Sequence, residues 1–340
     1  MKKISLLFIF TACFLEFACL SPRQTQESVS APKWITDKGR LELFPSSSYV
    51  SALAHGDTAQ VCREKAVAEI SEYIKASVSS SSAAAYFYKQ SDNVFSENQN
   101  LRQKIQVFSN NDLYQLEYTN PYYETDRAQY VCVAYINREW AFDFVRPKLD
   151  AAKNQFAKNY NEALKKQSLL DKIIGIKRAQ KILPVFYEVW DFARAILPEK
   201  ARVYEEVDFL ANESLHKVKE LSSSVLIRIE DIGNTDLLEK SGVVAELSNQ
   251  FKKIGFVVSD SKNANCSALV EAKAPINERD GIFETYPEIY IKIMEHEIEK
   301  ISSAKSLDRV SALDKDTFIA RIYLALKNEV KTLIEDEFFN

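Results

Sequence analysis

The sequence predicts an α+β protein built as two small antiparallel-sheet/helix domains separated by a helical hairpin or bundle. Two runs rich in β-branched and aromatic residues, Gln129 to Ile136 and Val225 to Ile229, read as strands. Stretches with apolar residues at helical spacing accompany both runs. Between them, residues 149–222 are charged and helical in pattern, and only 7 Gly and 9 Pro punctuate the 340 residues.

Composition agrees with a folded chain. Hydrophobic residues make up 46% and charged residues 27%, ordinary values for a globular protein. The length calls for two or three packing units. A net charge of -4 offers no basic face for nucleic acid.

The order of elements starts with an export signal. Met1-Lys2-Lys3 carries two positive charges, and Ile4 to Phe10 follows without any. That run is too short to span a bilayer, which needs about 20 apolar residues. Small residues then precede a cysteine twice, in Thr11-Ala12-Cys13 and Phe17-Ala18-Cys19. Both resemble the lipobox of bacterial lipoproteins, in which the cysteine takes a diacylglyceryl group and becomes the new N-terminus. Cys19 has the more usual signal length, although Glu16 interrupts its apolar stretch; Cys13 is the alternative attachment residue. An ordinary secretory signal with chance cysteines is the competing reading. These choices assign 1–18 to a signal peptide and 19–31 to a flexible tether.

The N-terminal α+β domain is expected over 32–148. Tyr49 to Ala54 is a short strand ending at His55-Gly56, after which Asp57 or Thr58 caps a helix. Val67, Ile70, Ile74 and Val78 form its apolar stripe, and the low-complexity run 79–85 extends or ends it. Further strands are expected at Lys104 to Phe108, Leu113 to Tyr118 and Gln129 to Ile136. In the helical segment 149–222, Pro184 and Pro198 mark helix starts or kinks. Ile182, Phe186, Val189, Ala193 and Leu197 share a face, and Tyr187 and Trp190 are assigned to the core.

The C-terminal α+β domain is expected over 223–340. Val225 to Ile229 is a strand, and Leu237 to Ile254 reads as one amphipathic helix. Phe256 to Val258 and Ser267 to Ala272 are short strands. Ile289 to Ile293 alternates strictly and is expected to pair with Glu299 to Ser303 through a turn near His296. A last helix starts near Asp314 or Asp316 and buries Phe318, Ile322, Leu326, Val330 and Leu333.

Pro32-Lys33-Trp34, the strand ending at Gly56, the helix around Lys65 to Ile70 and the strand Tyr130 to Ile136 resemble one family. It is the twenty-kilodalton membrane-associated lipoprotein (LPP-twenty) family, itself similar to the N-terminal domain of FlgT. Here His55 stands where a small residue is expected before Gly56. Ile254 to Val258, Cys266 to Ala272, the hairpin 287–303 and the last helix resemble the periplasmic domain shared by CsgG and LpoB. These resemblances imply assembly or partner binding in the envelope and supply no catalytic residues.

The chemistry-bearing residues are few. Beyond Cys19, the thiols are Cys62, Cys132 and Cys266, without metal-ligand spacing. Buried single thiols are the expected state, and Cys62 with Cys132 is the one pair to test as a disulfide. Among the three His, His55, His216 and His296, the last opens His296-Glu297-Ile298-Glu299-Lys300, where Lys300 occupies the second histidine's place in a zinc-protease motif. A structural or surface role is expected for His296. Glu295, Glu297 and Glu299 would put three carboxylates on one face if extended, most simply as a solvated strand edge. Glu205-Glu206 and Glu335-Asp336-Glu337 read as solvated helix faces. No phosphate-cradling or nucleophile-elbow run occurs.

The expectation is therefore a non-catalytic protein, with no cofactor or metal, lipid-anchored on the periplasmic face of a bacterial envelope. The outer membrane is preferred because Leu20, and not aspartate, follows Cys19. Its partners would be the membrane through its anchor and envelope proteins or a second copy, with no nucleic acid and no small-molecule substrate identified. A regulator or binder of cell-wall synthesis machinery is the alternative, and a carboxylate-based hydrolase the third reading.

Overall fold

The computed structural model describes residues 30–79, 113–233 and 235–338. The signal, both candidate lipid-bearing cysteines, nearly all of the tether and the strand expected at 104–108 lie outside the described residues. So do the side chain of Val78 and the run 80–85. Within them the chain is α+β, as its patterning predicts.

The first sheet forms from β1 (Tyr49–Gly56), β2 (Leu116–Tyr118), β3 (Tyr122–Glu124) and β4 (Gln129–Asn137). It is antiparallel throughout: β1 lies along one edge of β4, and β2 and β3 pair in succession with its opposite edge. The register Val50↔Ile136, Ala52↔Ala134 and Ala54↔Cys132 sets the even-numbered side chains on one face. Helix α2 (Ala59–Ser79) covers that face with Val67, Ile70 and Ile74. Thr58 starts it, its hydroxyl accepting the Val61 N–H at 3.2 Å. On the other face Trp34, Val131 and Val133 form a small cluster, closed by Ile35, Phe44 and Tyr135 around the short helix α1 (Asp37–Leu43).

Strand β4 runs directly into α3 (Arg138–Lys165), whose start is capped by Asn137 accepting the Trp140 N–H at 3.0 Å. The boundary expected at 148/149 thus falls inside a continuous 28-residue helix. The sheet and the helical segment share one core, because α3 contributes Phe142 and Val145 to one end and Phe156 and Tyr160 to the other. Arg138 ties the junction: its Nε donates to the Ser46 carbonyl at 2.9 Å, and its guanidinium also reaches the Ile196 carbonyl.

Helices α4 (Leu169–Gln180), α5 (Leu183–Ile196) and α6 (Glu205–Ser223) complete a bundle with α3. Pro184 lies in the first turn of α5, and Pro198 opens the helical turn Pro198–Ala201. α5 is buried on nearly all sides, which explains why its pattern is apolar almost throughout. Phe186 and Trp190 stack at 5.6 Å, and Trp190 Nε1 donates to the Ala201 carbonyl at 2.9 Å. The Tyr187 hydroxyl donates to Asp208 at 2.8 Å. Both aromatics are core residues.

The C-terminal unit departs from expectation in two ways. Its main sheet is mixed rather than antiparallel, with strand order β11-β10-β7-β5-β6. These are β5 (Leu226–Asp231), β6 (Val257–Val258), β7 (Cys266–Lys273), β10 (Glu288–Glu295) and β11 (Ile298–Ser306). Strand β5 runs parallel to both β6 and β7, since the helices between β5 and β6 return the chain to the same end of the sheet. The helix expected at 237–254 is two, α7 (Thr235–Ser241) and α8 (Val243–Ile254). They break at Gly242, whose φ of 72° is left-handed and ends helical hydrogen bonding.

Beyond β7, a small antiparallel sheet of β8 (Asn277–Arg279), β9 (Ile282–Thr285) and β12 (Val310–Ala312) lies beside the main one. Helix α9 (Lys315–Phe338) starts at Asp314, which accepts the Thr317 N–H at 2.7 Å. It buries Phe318, Ile322, Leu326, Val330 and Leu333, as its spacing predicts.

Candidate functional site

The main C-terminal sheet is closed on one face and open on the other. Strict alternation sends Cys266, Ala268, Val270, Ala272, Ile289, Ile291 and Ile293 inward, where all are buried with α8 and α9. The intervening residues face outward in aligned rows. One row is Arg228, Ser267 and Met294; the next is Glu230, Leu269 and Lys292; a third is Glu271 with Tyr290. Each of these side chains is half-buried.

Charge on this face is balanced locally. Arg228 Nε donates to Glu230 at 2.9 Å, Lys292 pairs with Glu299 at 2.6 Å, and Lys273 with Glu271 at 2.8 Å. Tyr290 and Ser302 hydroxyls lie 3.3 Å apart. A concavity of about 390 Å³ lies at one end, lined by Arg228, Lys262, Asn265, Ser267, Met294 and His296 among others. A second, of about 330 Å³, lies at the other end and includes Glu271, Tyr290 and Lys305.

Asn265 lines the larger concavity and ties its wall together. Its Oδ1 accepts the Leu226 N–H at 2.9 Å, its Nδ2 donates to the Ser224 carbonyl at 3.0 Å, and its own carbonyl accepts the His296 N–H at 3.0 Å. His296 and Glu297 form the two-residue turn between β10 and β11, with φ of 48° and 67°. A hairpin turn with positive φ at both positions normally carries Asn-Gly or Asp-Gly. A histidine and a glutamate held there are backbone strain at the rim of the concavity.

The structure separates several residues that the sequence groups. Because the chain reverses at 296–297, Glu295, Glu297 and Glu299 do not share a face. Glu295 is buried against α4, Glu297 is exposed in the turn, and Glu299 pairs with Lys292. Lys300 turns away to Asp171 at 2.8 Å. His55, His216 and His296 stand on β1, α6 and the β10–β11 turn, three separate places. Glu206 pairs with Lys153 across the bundle surface, a solvated face as expected. Cys266 faces inward; burial and the nearby Glu295 push its thiol up to about 12, which suppresses the thiolate.

No family model matches the chain, and no curated protein matches it. A solved structure does align with it. That structure is the secreted protein HP1454 from the human pathogen Helicobacter pylori, at 11% identity, covering 85% of this chain and 97% of that one. The TM-score is 0.36.

The alternation of Ile289 to Ile293 carries the signal for a one-sided strand. The rows crossing it were not legible, since they depend on which strands lie side by side. Nothing in His296-Glu297 marks a left-handed turn.

Proposed function

We propose that this chain is an exported envelope lipoprotein, held at the periplasmic face by acyl chains on Cys19, whose folded part binds a protein partner without catalysing a reaction. The observation that carries the binding role is the open, half-buried face of the C-terminal sheet, flanked by two concavities. Its charges alternate in sign and neutralise one another in pairs. Such a surface matches the mixed polar surface of another protein better than a nucleic acid or an anionic lipid, each of which calls for concentrated positive charge. The lipobox-like cysteines and the resemblance to the LPP-twenty family support the location. Two or more acyl chains suffice to hold a protein at a membrane, at about 0.8 kcal/mol per buried methylene.

Two measurements test this reading. Mass spectrometry of the native N-terminus should find a diacylglyceryl-modified Cys19; an unmodified terminus overturns the anchor. A photo-crosslinking residue in place of Ser267 should give one discrete adduct with another envelope protein. Arg228→Glu with Lys292→Glu should abolish that adduct, and Phe209→Ala at an exposed position of α6 should leave it intact. An adduct between two copies of the chain, or one insensitive to the charge reversal, overturns the assignment of the face.

A further inference from the structure

Cys62 on α2 and Cys132 on β4 meet in the core of the first unit. Neither sulfur has any exposure, and both are free thiols. Their meeting follows from two independent features. The sheet register sets Cys132 directly opposite Ala54, and the Cys62 Sγ–H donates to the Ala54 carbonyl at 3.1 Å. The approach is close because Gly56 has no side chain: a Cβ there would come within 2.5 Å of the Cys62 nitrogen. Cys266 is remote, buried in the other sheet between Ile227 and Glu295 in register.

We propose that Cys62 and Cys132 form an oxidisable pair, closing into a disulfide that clamps α2 to β4 when the chain folds in an oxidising compartment. Its occurrence in the cell rests on the export reading above. The oxidant is an external disulfide, of a thiol–disulfide oxidoreductase or of glutathione. A thiolate of the pair attacks one sulfur of that disulfide, expels a thiolate and forms a mixed disulfide. The second cysteine, deprotonated, attacks the cysteine sulfur of the mixed disulfide and expels the other external thiolate. The pair loses two electrons and two protons, and the external disulfide is reduced to two thiols.

Burial sets the kinetics. Desolvation raises both thiols above their ordinary range, Cys132 up to about 12, so little thiolate exists in the closed fold. Exchange therefore takes place before the helix docks or after local opening.

The test uses the full chain. Reduced protein is refolded in buffers of graded glutathione and glutathione disulfide, quenched with acid, alkylated in denaturant and peptide-mapped. The expected result is a linked Cys62–Cys132 peptide with Cys266 alkylated. The linked form should melt several degrees above the reduced form, a gap kept by Cys266→Ala and lost in Cys62→Ala. Two alkylated cysteines at every ratio, or a link through Cys266, overturn the pair. Protein taken from its native cell separates the two readings: a link that forms in the refolding series but is missing from native protein counts against export and leaves the pair standing.

Discussion

Glu295 of β10 closes the start of α4 at Leu169. Its Oε1 accepts the Leu169 N–H at 2.8 Å, and its Oε2 accepts the Leu170 N–H at 3.3 Å and the Ser168 hydroxyl. The residue is 4% exposed, yet its charge sits where the unsatisfied amides and dipole of a helix start favour an anion. A side chain of the C-terminal sheet thereby completes a helix of the middle bundle. Lys300 and Asp171, 2.8 Å apart, brace the same contact.

Glu295→Gln keeps the shape but removes the charge, and should destabilise the protein by about 1–2 kcal/mol. Glu295→Ala leaves the helix amides without this partner and should cost about 3 kcal/mol. Urea unfolding checks both. A Glu295→Gln protein as stable as the wild type would mean that the charge contributes nothing.

The turn at His296 and Glu297 should respond in the opposite direction. Asn and Gly tolerate the left-handed backbone there, so His296→Asn with Glu297→Gly should stabilise by about 1–2 kcal/mol. The melting midpoint is the measurement. A lower midpoint would show that the native side chains support the turn in a way that outweighs its strain.

Gly56→Ala should destabilise by about 1–3 kcal/mol, because the added methyl meets backbone atoms of α2 that cannot rotate aside. Hydrogen exchange should reveal the damage first in β1 and α2. Unchanged protection in both elements would contradict the close approach.

Lys177 on α4 gives a pH dependence. Burial lowers its ammonium from 10.5 to about 7. Below that value the lysine is charged in both folded and unfolded chains, and the full desolvation penalty opposes folding. As pH rises from about 7 toward 10.5, only the unfolded chain keeps the proton in full, and the penalty fades. Lys177→Met should therefore stabilise by a few kcal/mol at pH 6, an advantage that shrinks toward pH 10. Denaturation at the two pH values measures it. The difference between the proteins isolates this group from Cys132 and Cys266, whose raised thiols act in the opposite sense at the alkaline end.

Much of the fold was legible because single periodicities carry it. Val67, Ile70 and Ile74 recur at helical spacing and are buried on α2. Ile289 to Ile293 alternates and forms a one-sided strand. Thr58, Pro184, Pro198 and Asp314 mark helix starts through local backbone chemistry. The candidate site was far less legible. Arg228, Ser267 and Met294 come from strands distant in the chain, and only the parallel pairing of β5 with β7 aligns them.

Local pattern alone thus determined the α+β class, most helices and strands, and which side chains face the core, since burial repeats with the period of each element. Tertiary structure decided the mixed order of the second sheet, the continuity of α3 across the expected boundary, the open face, and the meeting of Cys62 with Cys132. Those features depend on contacts between segments far apart in sequence. Such contacts are selected by the joint packing of the whole core, and no window along the chain contains them.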